Sequence, residues 1–286
     1  MNADGKLQMA NGRIQRPAWR HFGGKWRLAP FVLAHLPAHD HYVEPFAGAA
    51  SVLLRKERST HETINDLDGE IVNFFRVLRE REIELMRAIG LTPYARAEFV
   101  NAFEVSEDPV ERARRFYVRA QMSFGGVRSS GHQSAGWKFN RSLESKRSCH
   151  AREFADIAHF PAIAARLRGV QIESRDAFDV IRACDAPGTL FYLDPPYHPA
   201  TRDRRWRKAY SHELDAGRWT DLLGLLGGLQ GMALLSCYPH AETANSLEAA
   251  GWQCVQKDAR TSGAGARVEC LWMNANAARV SLEVAA

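Results

Sequence analysis

Gly188-Thr189-Leu190-Phe191-Tyr192-Leu193-Asp194-Pro195-Pro196-Tyr197 is an apolar run that ends in a carboxylate, two prolines and an aromatic ring. Thr189 to Leu193 reads as a buried strand. Each proline fixes its own φ, removes a backbone N–H and biases the residue before it toward extended geometry, so the Asp194 side chain and the following carbonyl are held outward. Acceptors converge at this strand tip and donors are few. Such a cradle suits an exocyclic amino group whose lone pair must be drawn out of conjugation before it attacks, with Tyr197 offering a flat face to a base. Read alone, the same four residues also describe a proline-rich loop after a strand, with a capping Asp.

Outward from this strand the chain alternates short apolar strands and helices on both sides of a basic, Gly/Ser-rich middle, which is an α/β pattern with an insertion. Upstream, helical spacing over Trp26–Leu36 precedes a strand at His41–Glu44, a helix starting over Ala49–Lys56, a strand at Glu62–Asn65 and a helix over Asp68–Arg79. The middle is mainly helical, clearest over Ala95–Phe103 and Pro109–Phe124, and breaks at Gly125-Gly126; residues 127–140 read as a hairpin. Then come a helix over Glu153–Arg168, a strand at Val170–Glu173 and a helix over Ala177–Ala183. Beyond the opening strand follow a helix over Ala216–Leu229, a strand at Met232–Ser236, a helix over Ala241–Ala250, and strands near Trp252–Gln256 and Val268–Met273. This order predicts two halves of one parallel sheet split by an insert, with a frayed tail over the last dozen residues.

At 286 residues the chain is long enough for one core with an insertion, and 45% hydrophobic with 25% charged residues is ordinary for a soluble protein. With no membrane-length apolar stretch and a polar N-terminus, the expectation is a cytoplasmic protein. Five scattered cysteines, none spaced C-x-x-C, argue for reduced thiols and against a zinc site. The net charge of +5 is unevenly spread: Arg112 to Arg152 holds ten Lys/Arg and one acid, Glu144, which leaves the remainder net negative. A solvated helix face explains part of that block; the rest points to a polyanionic partner.

Tyr42-Val43-Glu44-Pro45-Phe46-Ala47-Gly48-Ala49-Ala50-Ser51 is a strand, a tight turn of small residues and a helix start. Gly48 allows close approach to the backbone, and a helix N-terminus offers unpaired N–H groups. At the end of the next strand, Asn65-Asp66-Leu67-Asp68 places a carboxylate where ribose hydroxyls would donate to it. Asp176, after the strand at Val170–Glu173, is either an acceptor for an adenine amino group or a helix N-cap. Phe22-Gly23-Gly24-Lys25-Trp26 is not a phosphate loop, because Trp19 stands at the first glycine position and Trp26 where Ser/Thr belongs.

As a set, in order, these motifs resemble the DNA adenine methylase family of N6-adenine-specific DNA methyltransferases, particularly its phage and prophage form. Gly23-Gly24-Lys25 is similar to the family's N-terminal motif, Glu44-Pro45-Phe46-Ala47-Gly48 to its cofactor loop, Asn65-Asp66-Leu67-Asp68 to its ribose-binding motif and Asp194-Pro195-Pro196-Tyr197 to its catalytic motif. Weaker likeness lies in Lys138-Phe139-Asn140, Tyr210-Ser211-His212-Glu213 and Glu269-Cys270-Leu271-Trp272-Met273. The resemblance implies a Rossmann-like class I methyltransferase sheet over residues 1–74 and 151–286, with a helical target-recognition insert over 75–150.

It also implies S-adenosyl-L-methionine as cofactor, with S-adenosyl-L-homocysteine as its product. His21, Gly23, Lys25, Glu44, Phe46, Gly48, Asp66, Asp176 and Asp194 would line the cofactor; Asp194, Pro195, Pro196 and Tyr197 would form the catalytic cradle. Double-stranded DNA would be met by Arg119, Arg128, Lys138, Asn140, Arg141, Arg204 and Arg205, with further cations at Arg202, Arg207 and Lys208, by a monomer without metal or membrane. Two departures stand out: His21 replaces an aromatic Trp or Tyr, and Ala50 replaces a glycine of the cofactor turn. Cytosine-N4 methylation uses the same amine logic, although Ser is usual there in place of Asp194, and a DNA-binding relative without catalysis is the alternative from another class. Cytosine carbon-5 chemistry is disfavoured, since no Pro-Cys nucleophile dipeptide exists. No general-base histidine is demanded, so His21, His132, His198, His212 and His240 read as structural or surface groups.

Overall fold

The computed structural model describes residues 14–124, 136–139, 149–202, 212–261 and 264–279. Its strands are β1 (His41–Glu44), β2 (His61–Asn65), β3 (Gln171–Glu173), β4 (Thr189–Leu193), β5 (Met232–Cys237), β6 (Gln253–Thr261) and β7 (Ala264–Met273). They form one sheet in the order β3-β2-β1-β4-β5-β7-β6. Every residue of β4 and β5 is buried, as expected of central strands covered on both faces. Leu190 and Tyr192 join the core on one side of the sheet, Phe191 and Leu193 that on the other, following the two-residue period of a strand.

The first core is closed by α2 (Gly69–Glu80), α3 (Glu82–Gly90), α4 (Arg96–Asn101), α5 (Pro109–Met122), α6 (His150–Ala155) and α7 (Phe160–Leu167), after a short α1 (Ala29–Leu33). Trp19 anchors it, with ring centroids 4.9 Å from Phe74, 4.9 Å from Phe75 and 5.1 Å from Phe116. The second core is covered by α8 (Ala177–Cys184), α9 (Ala216–Gly227) and α10 (Ala241–Ala249). All five cysteines are free. No helix among the described residues is long and apolar enough to cross a membrane.

Several expectations change. The sheet is parallel from β3 through β5, but β7 runs antiparallel to β5 and β6 antiparallel to β7. Two residues separate β6 from β7, enough for a hairpin and too few for the crossover a parallel pair requires. The expected helix over 153–168 divides into α6 and α7, with Pro161 accommodated in the first turn of α7. The expected helix over 26–36 shrinks to α1, where Pro30 likewise occupies the first turn.

Residues 49–56 form turns instead of a regular helix. Ala50 has φ +48°, and the Leu53 N–H donates to the Glu44 carboxylate at 2.7 Å instead of to a carbonyl one turn back. Part of the tail is ordered: Asn274 caps a helical turn over 275–279, its Oδ1 accepting the Ala277 N–H at 3.0 Å, and Ala277 is fully buried. The base of the expected hairpin is antiparallel, with Phe124 N–H donating to the Gly136 carbonyl at 3.1 Å and Lys138 N–H to that of Met122 at 2.7 Å. Its tip lies outside the described residues.

Candidate active site

Strand order reverses between β1 and β4, and ligands of open α/β sheets bind at such a switch point, outside the carboxyl ends of the strands. The loops after β1, β2, β3 and β4 meet there around one cleft, which contains His21, Gly23, Lys25, Glu44, Phe46, Gly48, Asp66, Asp176 and Asp194. Every residue that the resemblance assigns to the cofactor therefore borders a single cavity.

Lys25 Nζ lies 2.9 Å from Asp194 Oδ1 and donates to the Gly23 carbonyl at 2.9 Å. Burial raises the Asp194 carboxyl above its ordinary range, while Lys25 and the Tyr197 hydroxyl pull it back. The same ammonium stands 4.7 Å from the Tyr197 ring centroid, and Tyr238 meets that ring edge-on at 4.5 Å. Tyr197 is 7% exposed, and its hydroxyl donates to Glu269 Oε2 at 2.7 Å. Pro195 is buried and Pro196 half-buried against the cleft.

The turn after β1 is held from three directions. Asp66 accepts the Gly48 N–H through Oδ2 and the Asp68 N–H through Oδ1, each at 2.9 Å, and burial raises its pKa to about 6. Asn65 donates to the carbonyls of Pro45 at 2.9 Å and Arg175 at 3.0 Å, tying the ends of β1, β2 and β3 together. Glu44 Oε1 accepts both the Tyr42 hydroxyl at 2.8 Å and the Leu53 N–H, and burial raises its pKa to about 7. His21 roofs Gly48: a Cβ there would stand 2.9 Å from His21 Nε2, and φ is +49°. Trp19 Nε1 donates to His21 Nδ1 at 3.4 Å, and burial beside Lys25 lowers the imidazole pKa to about 4, so the ring is neutral near pH 7.

Asp176 serves as the N-cap of α8, accepting the Phe178 N–H at 2.9 Å, and also borders the cleft. The N-cap reading is thus observed, at a position that also faces the cleft. Its other oxygen pairs with Arg218 at 2.5 Å, and the Arg218 guanidinium lies 4.4 Å from the Phe178 ring centroid. Neither Arg218 nor Phe178 was legible as a site residue, because both come from α-helical faces that read as ordinary surface and core. Glu269 was not assigned to the site either, yet a lone carboxylate opening the apolar run Cys270–Met273 is a signal in the sequence.

Among the described residues, five cations of the basic block are paired within the fold. Arg112 meets Glu70 at 2.6 Å, Arg114 meets Glu111 at 2.6 Å and Glu98 at 2.9 Å, and Arg115 meets Glu111 at 2.6 Å. Arg119 donates to the Ala102 carbonyl, pairs with Glu70 at 3.5 Å and lies over Phe103. Lys138 is 3.8 Å from Glu153, and Arg202, 9% exposed, pairs with Glu213 at 2.6 Å. Arg128, Asn140, Arg141, Arg204, Arg205, Arg207 and Lys208 lie outside the described residues, as does His132. His198 and His240 stack on each other with centroids 4.1 Å apart, while His212 borders the cleft.

A family model described as D12 class N6 adenine-specific DNA methyltransferase matches residues 21–215. Among curated proteins, the chain is similar to the DNA adenine methylase of Escherichia coli (strain K12), 26% identical over 214 residues that cover 72% of this chain and 74% of that protein. It is also similar to that of Serratia marcescens, 26% identical over 186 residues covering 62% and 65% respectively. The DNA adenine methylase of Vibrio cholerae serotype O1 (strain ATCC 39315 / El Tor Inaba N16961) is 24% identical over 192 residues, covering 65% and 66%. The matched stretch contains the loops after β1, β2 and β4 with Lys25, and the chain belongs to the D12 class N6 adenine-specific DNA methyltransferases.

Proposed function

We propose that this chain transfers the methyl group of S-adenosyl-L-methionine to the N6 amino group of an adenine flipped out of double-stranded DNA. The observation that carries this reading is the Asp194 carboxylate, held at the tip of β4 by Lys25 beside the cleft behind Gly48. The residues fit the cofactor: a Cβ-free turn at Gly48 permits close backbone approach, and Glu44, Asp66 and Asp176 supply acceptors for a cation, hydroxyls and an amino group. Each Asp66 oxygen keeps a second lone pair beyond its backbone bond, so accepting from a ribose hydroxyl leaves the turn intact.

Bound S-adenosyl-L-methionine supplies an electrophilic methyl on sulfur. Asp194 and the Pro195 carbonyl accept the two amino hydrogens of the target, drawing its lone pair out of the purine ring and toward that methyl. Tyr197 gives the base a stacking surface, worth roughly 1–3 kcal/mol against the few kcal/mol that flipping costs. The proton leaves after transfer has made the amine acidic, so no general-base histidine is required. Cations outside that paired set, Arg128, Arg141, Arg204 and Arg205 among them, supply phosphate contacts. The description of the family as N6 adenine-specific favours adenine over cytosine-N4.

Incubating unmethylated DNA with labelled cofactor and mapping the modified bases tests the reading. Label in N6-methyladenine at one sequence context is the expected result, and no incorporation overturns it. Asp194→Ala abolishes transfer with cofactor binding still measurable by titration calorimetry; substantial residual turnover would remove Asp194 from its role.

A further inference from the structure

Glu269 is a buried carboxylate to which the mechanism above gives no task. It lies beyond residues 21–215, the stretch the family model matches. Topology delivers it to the site. Because β7 runs antiparallel to β5, Cys270 pairs with Cys237, the final residue of β5, and Glu269 stands one residue past the carboxyl end of that strand. Asp194 to Tyr197 leave β4 at the same edge of the sheet. A parallel β7 would carry its early residues to the opposite edge.

A carboxylate is an expensive way to fill a core position, since it needs donors to offset lost hydration. Glu269 is 7% exposed, and its Oε2 takes the Tyr197 hydroxyl at 2.7 Å. Lys25 and Arg267 are the cations whose charge opposes its burial. The phenolic O–H prefers the plane of its ring, so a fixed acceptor selects ring plane as well as ring position. Lys25 at 4.7 Å from the centroid and Tyr238 at 4.5 Å, nearly perpendicular, flank the ring. Stacking alone needs an aromatic face, which Phe would supply; the hydroxyl and its buried acceptor add orientation.

We propose that Glu269 is a positioning residue for methyl transfer, holding the Tyr197 ring in the plane on which the target base stacks so that the amino group meets Asp194. This rests on the adenine-transfer reading above. The test uses the full chain as wild type, Glu269→Leu, Tyr197→Phe and the double variant, on duplex DNA containing the mapped target site. With 2-aminopurine replacing the target base, fluorescence reports how the flipped base is stacked.

Glu269→Leu, which removes the acceptor, is expected to lower kcat at least about 10-fold, with cofactor affinity held within about two-fold and with altered 2-aminopurine emission. Tyr197→Phe is expected to lose at least as much, since its hydroxyl also lowers the Asp194 carboxyl, and the double variant no more than Tyr197→Phe alone, because both changes remove the Tyr197–Glu269 hydrogen bond. Turnover of Glu269→Leu within about two-fold of wild type, additive losses, or a parallel fall in cofactor affinity would each overturn the proposal. If Glu269→Leu does not fold, undiminished turnover and emission in Tyr197→Phe overturn it, and the loss described for that variant supports it. A wild-type chain that fails to methylate DNA defeats the underlying reading instead, which keeps the two failures apart.

Discussion

Asp194 Oδ1 and Lys25 Nζ lie 2.9 Å apart, one at the tip of β4 and the other in a turn near the start of the described chain. The turn is shaped by the Gly24 N–H donating to the His21 carbonyl at 3.2 Å and by Gly23 at φ +71°. A buried carboxylate must stay ionised to draw on an amine, and burial works against that. The Lys25 ammonium opposes that shift, so the pair is one electrostatic unit.

Lys25→Met leaves Asp194 in its pocket without that counter-charge. Breaking a buried pair in this way is expected to cost about 2–4 kcal/mol of stability, read as a lower urea midpoint. Since Lys25 lowers the Asp194 carboxyl, its loss raises that carboxyl further, and the acid limb of the turnover–pH profile moves to higher pH. An unmoved limb would separate the two residues.

Gly48→Ala tests the roof of the cleft. Its Cβ would come within 2.9 Å of His21 Nε2, and φ +49° adds about 1–2 kcal/mol of backbone strain. Cofactor affinity is expected to fall at least about 10-fold in titration calorimetry, about 1.4 kcal/mol. Unchanged affinity would show that His21 yields freely.

Glu44 sets a pH dependence of stability. Its carboxyl rises from 4.5 to about 7 on folding, so the native state binds its proton more tightly than the unfolded chain does. The contribution is fully present below the unfolded value of 4.5 and is lost as pH rises toward about 7, by about 1.4 kcal/mol per pH unit at most. Both donors, Tyr42 O–H and Leu53 N–H, use Oε1, so Glu44→Gln retains them. Chemical denaturation at the two ends of that range should show a smaller pH difference for the variant than for wild type.

Arg114→Ala separates fold from partner. With pairs to Glu98 at 2.9 Å and Glu111 at 2.6 Å, this guanidinium is committed inside the helical region. Its removal is expected to cost about 1.5–3 kcal/mol in denaturant unfolding and to leave the salt dependence of DNA binding unchanged. A shallower salt slope would place Arg114 on the DNA.

Much of the site was legible because its chemistry is local. Asp194-Pro195-Pro196-Tyr197 needs proline geometry and one preceding strand, while Gly48 and Asp66 follow the strands that carry them. That residues 49–56 form turns in place of the expected helix was not legible, since the competitor for the Leu53 N–H is a side chain on β1. Nor could counting reveal that Arg112 to Arg119 are paired: Glu70 and Glu98 are distant in sequence, and Glu111 stands just outside the interval counted.

The sequence by itself determined the α/β alternation, the strand-tip cradle and the family, because periodicity, proline geometry and ordered short motifs are properties of neighbouring residues. Tertiary structure decided the direction of β7, and with it the arrival of Glu269 at Tyr197. Strand direction depends on hydrogen-bond pairing between distant segments, which places residues on one edge of the sheet or the other irrespective of their local pattern. It also decided that one ammonium, Lys25, serves Asp194, the Tyr197 ring and the Gly23 carbonyl together, since such convergence exists only once the loops share a switch point.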